Sequence, residues 1–304
     1  YPDEGILLRQ KGIQIPILVM NTGSTDFISL FDYKLEPEIY SLTQLNRLIQ
    51  ETGRTTQVKI HLKLDTGMHR LGFLKEDIEG LCSILNQNKQ IQIVSIFSHL
   101  SASDQASFDE FTTEQGQLFK EMATYIINSL NYMPLLHLLN SGGIARHPDL
   151  QFNMVRLGIG LYGIENDPEL HKQLEKVHTL KTRVAQIKSY NPGETVSYNR
   201  SGRINNPSKI GVLSIGYADG LPRIAGSRAF KLSCGRIPAP LIGHVCMDMC
   251  MVDLSAVNQT YEGMEIEIFG KNSPIEELAR ISDTIPYEIL CGISSRVKRV
   301  FLQD

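Results

Sequence analysis

The chain has 304 residues, 42% of them hydrophobic and 21% charged, with a formal net charge of −3. That length allows a large core and two domains, and the composition is that of an ordinary soluble globular protein. The charge gives no basic footprint for nucleic acid and no polybasic membrane patch, and no apolar run reaches the roughly 18 residues of a membrane span. Five cysteines, Cys82, Cys234, Cys246, Cys250 and Cys291, lack paired CxxC spacing. They argue for free thiols in a reducing, cytoplasmic setting and against a zinc site. No signal peptide is read, and the sequence runs from Tyr1 straight into a helical pattern, as an excised piece of something longer would.

Taken in order, Glu4 to Gly12 has apolar residues at helical spacing and a glycine stop. Pro16 to Met20 reads as a buried strand. Ser41-Leu42-Thr43-Gln44 fits a capping box opening a helix that carries Leu45, Leu48 and Ile49 and ends at Gly53. Val58 to Asp65 alternates strictly, with Val58, Ile60, Leu62 and Leu64 on one side and Lys59, His61, Lys63 and Asp65 on the other, the signature of a strand. The turn Asp65-Thr66-Gly67 then delivers Arg70 just past the strand's end. Ile78, Leu81, Cys82 and Leu85 mark one helix face. Ile91 to His99 is a strand, Phe108 to Leu130 a long helix, and Leu135 to Asn140 and Met154 to Leu157 two more short strands.

Strand alternating with helix means a parallel sheet with helical crossovers. Strands of such a sheet are buried on both faces, so the polar side of Val58–Asp65 needs a lined interior rather than water. A (β/α)8-type barrel supplies one and gathers function at the strands' C-terminal ends. Lys63, Asp65, His99, Asn140, Ser141 and Arg156 stand there, a polar and cationic set suited to a small anion. Beyond Ile164 the texture changes to strands with Gly/Pro/Asn turns: Asn191-Pro192-Gly193, Ile210 to Ile215, Leu241 to Cys246 and Glu265 to Phe269, with one helix at Pro274 to Ile281. An α/β domain is therefore followed by a mostly β domain, with the boundary near Asn166 to Lys176 and a division into residues 1–170 and 171–304.

The ordered series KLDTGMHRLG, FSHLSASD, NSGG, MVRLGIGLYG, SIGYADGLPR and GHVCMDM closely resembles alanine racemase, from about Leu8 to Leu302. The resemblance implies a fold-type III enzyme that uses pyridoxal 5'-phosphate (PLP), with a barrel domain followed by a β domain. The implied reaction interconverts L- and D-alanine for bacterial cell-wall (peptidoglycan) synthesis in the cytoplasm. Two bases are needed, one on each face of the substrate's Cα, together with an electron sink.

By this resemblance Tyr217 is one base, lent to the partner subunit of a homodimer with shared active sites, and His99 hydrogen-bonds it. Tyrosine's unperturbed pKa of ~10 means it needs such help. Taken alone, Tyr217 is a turn tyrosine and His99 a core histidine. Arg156 matches the arginine that donates to the cofactor's pyridine nitrogen, leaving the ring neutral and a weaker sink. Ser141, with the backbone of Gly158 and Ile159, matches the phosphate cradle. Arg70 matches the arginine near the substrate carboxylate and the cofactor's phenolic oxygen. Met247 matches the position whose backbone N–H meets the substrate carboxylate from the second subunit. Lys63 matches a lysine carbamylated in many members, which would hold Arg70. The alternative is an unmodified lysine paired with Asp65.

Two departures matter. Ser295, in Ile293-Ser294-Ser295-Arg296, stands where some members place a phosphate-contacting tyrosine. The family's Schiff-base lysine, in a motif resembling VKANAYGHG on the first barrel strand, has no counterpart here, so the barrel reads as incomplete at its N-terminus. Fusion behind an upstream ligase domain is compatible with this. The rival readings are a racemase of broader amino-acid range and a non-catalytic PLP-binding module.

Overall fold

The computed structural model describes every residue except 24–25, 53–56 and 303–304. Gly53, the expected stop of the second helix, lies outside the described residues. The chain divides into two compact units, Tyr1–Gly160 with Glu165–Gln173, and Leu161–Ile164 with Leu174–Asp304.

The first unit runs α1 (Pro2–Gln10), β1 (Ile17–Val19), α2 (Phe27–Asp32), β2 (Leu35–Ile39), α3 (Leu42–Thr52), β3 (Val58–Lys63), α4 (Ile78–Gln87), β4 (Ile91–Phe97), α5 (Asp109–Leu130), β5 (Leu135–His137), α6 (Ser141–Arg146) and α7 (Pro168–His171). The strands form one parallel sheet in the order β1-β2-β3-β4-β5, each joined to the next by a helical crossover. Five strands, rather than a closed ring of eight, make up this curled sheet among the described residues. Its outer face packs Ile60, Leu62 and Ile96 against Leu45, Leu48, Leu81, Phe119 and Ile126 of α3, α4 and α5. Burying one such side chain contributes about 1.5–3 kcal/mol, so the apolar half of the β3 alternation is what fixes this face.

The inner face is polar yet buried. Glu36, Glu38, His61, Lys63, Ser95 and His137 all have under a tenth of their surface exposed. Strand β2, Leu-Glu-Pro-Glu-Ile, escapes sequence reading because two glutamates around a proline look like a loop. It is a strand because its glutamates meet cationic and imidazole groups: Lys63 Nζ lies 3.4 Å from Glu38 Oε2 and His61 Nε2 lies 2.9 Å from Glu36 Oε2.

The expected strands Leu135–Asn140 and Met154–Leu157 are shorter than their patterns. The first ends at His137, because Asn140 leaves the sheet to cap α6, its side chain accepting from Gly143 N–H at 2.9 Å. The second reduces to one bridge from Met154 to His137. Beyond it the guanidinium of Arg156 takes the carbonyls of His137 and Leu138 that a ladder would use.

In the second unit β6 (Leu180–Tyr190), β9 (Ser208–Leu213), β10 (Lys231–Cys234), β11 (Ile237–Pro240), β12 (Cys250–Asp253) and β13 (Glu265–Phe269) form a six-stranded sheet ordered β11-β10-β13-β6-β9-β12, its named strand pairs antiparallel. A small ribbon joins β7 (Thr195–Val196) and β8 (Gly202–Arg203). Three short helices, α8 (Arg223–Ser227), α9 (Ile275–Ile281) and α10 (Pro286–Gly292), accompany them, two more than the pattern suggests. The expected strand Leu241–Cys246 keeps only a bridge at Leu241. Gly243, at φ +74°, turns the backbone there, and a Cβ would come within 2.5 Å of Ser197.

Candidate active site

Arg156 is the hub of the polar inner face. Its Nη1 lies 2.5 Å from His137 Nδ1 and 3.2 Å from the His137 carbonyl, while Nη2 donates to the carbonyls of Ser98 at 2.6 Å and Leu138 at 3.0 Å. Each Nη hydrogen therefore has a protein acceptor, and Nε–H has none among the described residues. The guanidinium also lies over the Phe97 ring at 5.3 Å, and Phe97 stacks on His137 with centroids 4.8 Å apart. Burial lowers the Arg156 pKa to about 10, against the pull of Glu38, so it stays a cation at neutral pH.

Of the residues singled out in the sequence, His99 lies directly on Arg156, while Arg70 and Lys63 act on His99 through their charge. His99 Nδ1 lies 3.4 Å from Arg156 Nη2. Because the guanidinium can only donate, Nδ1 accepts and Nε2 carries the His99 proton. Burial, with the positive charges of Arg156, Arg70 and Lys63, pushes the His99 pKa down to about 4. His99 is thus a neutral donor at physiological pH. Arg70 is exposed, makes no hydrogen bond or ion pair among the described residues, and acts electrostatically on both His99 and Glu38. Its loop returns onto its own strand, where Asp65 N–H donates to the Phe73 carbonyl and Phe73 N–H to the Lys63 carbonyl, both at 2.9 Å.

Lys63 does not pair with Asp65. The Asp65 carboxylate is spent inside its own turn, accepting from the N–H groups of Gly67 at 3.1 Å and His69 at 2.9 Å. The lysine turns instead to Glu38 on the neighbouring strand, and its Nζ sits 5.5 Å over Phe97. Glu38 is fully buried and its Oε1 has no hydrogen-bond partner. Burial outweighs the attraction of Lys63, Arg70 and Arg156 and raises its pKa to about 7.

The folded state therefore holds a proton on Glu38 that the unfolded chain, near 4.5, has already released. That stabilisation is complete below 4.5 and is lost as pH rises towards 7. His99 contributes a slope of the opposite sign between 4 and 6.5, so variant must be compared with parent. Thermal unfolding of Glu38→Gln should show a flatter decline from pH 5 to pH 8 than the parent protein; an unchanged slope removes Glu38 as its source.

At the adjoining strand end, Ser141 Oγ accepts from Gly158 N–H at 3.0 Å and Gly160 N–H at 3.2 Å, leaving its own O–H free to donate. Gly160, absent from the sequence reading, is the second backbone donor to Ser141, and the Ile159 side chain between the two glycines is buried.

In the second unit Tyr217 and Met247 are joined through the backbone. Tyr217 N–H donates to the Cys246 carbonyl and Ala218 N–H to that of Met247, both at 3.0 Å. Only glycine fits at position 216, because a Cβ there would lie 2.2 Å from the Met247 oxygen. Both side chains are solvent-facing, with Tyr217 44% and Met247 55% exposed. An unforeseen clamp holds this loop: Arg296 bonds Asp219 through Nε and Asp248 through Nη2, each at 2.7 Å. Asp219 in turn accepts from Gly216 N–H at 2.8 Å. Burial alone would raise the Asp219 carboxyl, but Arg296 and that N–H hold it below the usual carboxylate range.

Two family models match the chain in succession, the alanine racemase N-terminal domain over residues 1–166 and the C-terminal domain over 177–301. The chain belongs to the alanine racemase family. It is 34% identical to alanine racemase 1 of Clostridium acetobutylicum over 99% of its length and 80% of the relative's. Against alanine racemase of Clostridium tetani the identity is 35%, with the same coverage. Among solved structures, alanine racemase of Clostridium difficile 630 superposes with a TM-score of 0.90 at 31% identity, covering 99% of this chain and 80% of that one. The Bacillus anthracis enzyme with bound L-Ala-P gives a TM-score of 0.89 at 27% identity, covering 99% and 80%.

Alanine racemases are isomerases that use PLP, and the residues present fit that cofactor at its phosphate and its ring nitrogen. A phosphate suits the free Ser141 hydroxyl beside the close-packed Gly158–Gly160 backbone, and a pyridine nitrogen suits the uncommitted Nε–H of Arg156. Sequence reading missed Glu38, His137, Gly160 and the Arg296 clamp. The one local signal was a pair of glutamates flanking Pro37 between apolar residues.

Proposed function

We propose that this protein interconverts L- and D-alanine as a cytoplasmic homodimer with shared active sites, supplying D-alanine for peptidoglycan. The observation that carries the reading is Arg156, whose four Nη hydrogens are spent on the protein while Nε–H is left for a ligand. When bound, PLP supplies the electron sink that makes the substrate's Cα–H acidic. Ser141 with the Gly158–Ile159–Gly160 backbone would hold its phosphate. Arg156 would donate to its ring nitrogen without giving up a proton, since a group titrating near 10 stays protonated at pH 7.

Arg70 is free to form a charge-assisted fork with the substrate carboxylate, and the Met247 N–H would reach that carboxylate from the partner subunit. Tyr217 of the partner subunit takes or returns the Cα proton on one face. His99, neutral and protonated on Nε2, offers that N–H to the phenolic oxygen and so stabilises its deprotonated form. Lys63, on Glu38, sets the charge beside Arg70, either as the ammonium or, once carbamylated, as an anion.

Purified intact protein, carrying the Schiff-base lysine strand that the family resemblance implies, should form D-alanine when incubated with PLP and L-alanine, read by chiral chromatography. Bound cofactor with no D-alanine would reject alanine as substrate. A profile over larger amino acids separates a dedicated alanine enzyme from one of broader range.

A further inference from the structure

The inner face holds four side chains that the reaction above does not use. Glu36 on β2, His61 on β3, Ser95 on β4 and His137 on β5 come one from each of four adjacent strands. They form an unbroken string. Glu36 Oε2 lies 2.9 Å from His61 Nε2, His61 Nδ1 lies 2.6 Å from Ser95 Oγ, Ser95 Oγ lies 2.9 Å from His137 Nε2, and His137 Nδ1 lies 2.5 Å from Arg156 Nη1. All four are buried, at 7, 5, 0 and 0% exposure from Glu36 to His137.

The two ends fix the direction of every bond between them. A guanidinium can only donate, and an ionised carboxylate can only accept. His137 Nδ1 must therefore accept from Arg156, which puts the His137 proton on Nε2, facing Ser95. The Ser95 oxygen takes that hydrogen and passes its own O–H to His61 Nδ1. His61 then carries its proton on Nε2 and delivers it to Glu36. A doubly protonated His61 would aim a second N–H at Ser95 and leave the buried serine hydrogen with no acceptor. Glu36 is suited to the end of the string: its hydrogen bond from His61 holds its carboxyl below the usual range, and Lys59 Nζ stands 3.8 Å from its other oxygen.

We propose that Glu36, His61, Ser95 and His137 form a one-directional relay that positions Arg156. The Glu36 carboxylate orders the string, so that His137 Nδ1 is always presented as an acceptor and the guanidinium is locked with Nε–H directed into the site. Chains of this kind polarise one another, so a charge at one end is felt at the other. The relay's purpose rests on the reading of Arg156 as the donor to the cofactor ring. Its existence does not.

The test uses the full chain with 15N-labelled histidine and arginine, in the parent protein, Glu36→Gln and Ser95→Ala. Glu36→Gln keeps the shape and removes the charge; Ser95→Ala cuts the string and adds no volume. The parent should show His61 and His137 protonated on Nε2 only, and both variants should shift the His137 ring and Arg156 Nε–H resonances. In the PLP-loaded protein both should lower kcat about tenfold, the scale on which partners of a ligating group act, with KM for alanine little changed and the cofactor's absorption band moved. A reversed tautomer or a doubly protonated ring in the parent overturns the relay. So do two variants that melt as the parent does and leave kcat, absorption band and resonances in place. If the parent fails to racemise alanine at all, the proposed function falls, while the tautomers and the Arg156 Nε–H resonance still decide the relay.

Discussion

Replacing Tyr217 with Phe is expected to cut turnover by about 10²–10⁴-fold, the range over which a positioned acid–base group acts. The substitution is clean, because the loop is held through its backbone and through Asp219, none of which involves the phenolic oxygen. The bonds from Tyr217 N–H to Cys246 and from Ala218 N–H to Met247 stay in place. With the ring retained and the residue 44% exposed, unfolding temperature should not move. The loss should appear in kcat, measured in both the L-to-D and D-to-L directions, with KM largely preserved. A Phe variant turning over at the parental rate would remove Tyr217 from the chemistry.

Arg156→Lys comes next in size, and here both stability and rate respond. Lysine keeps the positive charge but offers a point donor where a planar fork satisfied the carbonyls of Ser98, His137 and Leu138 together with His137 Nδ1. An acceptor left without its donor in this setting costs about 1–3 kcal/mol, to be read from urea unfolding. The donor proposed for the cofactor's ring nitrogen is lost as well, and removing one such preorganised donor lowers kcat by about 10²–10³-fold. A lysine variant with parental stability and kcat would show that the fork is not needed.

How far the sequence announces this architecture depends on the range of the interactions involved. The alternation of Val58–Asp65 is local, and the structure places its apolar half in the core and turns His61 and Lys63 inward. The helix face of Ile78, Leu81, Cys82 and Leu85 is buried as its spacing implies. Strand β2 fails the same reading because its stability is not local. Glu36 and Glu38 make sense only against His61 and Lys63 on the next strand, and nothing in Leu-Glu-Pro-Glu-Ile says which strand that is. The Lys63 partner shows the same limit from the other side. Asp65, two residues on and on the same face, is the natural choice from sequence, yet its own turn consumes it. Arg156 could be named from the motif around it, but its grip on three carbonyls from two other strand ends could not. Tyr217 and Met247 are singled out by family resemblance alone, since an exposed turn tyrosine and an exposed methionine carry no signal of their own.

The Arg296 clamp bears on how the molecule can be handled. A stretch that looks like trailing peptide acts as a strut for the loop that carries Tyr217, tying Asp219 to Asp248. A protease nick, a linker or a fluorescent label introduced just ahead of Arg296 would therefore slacken the phenol's mounting while the six-stranded sheet kept its shape.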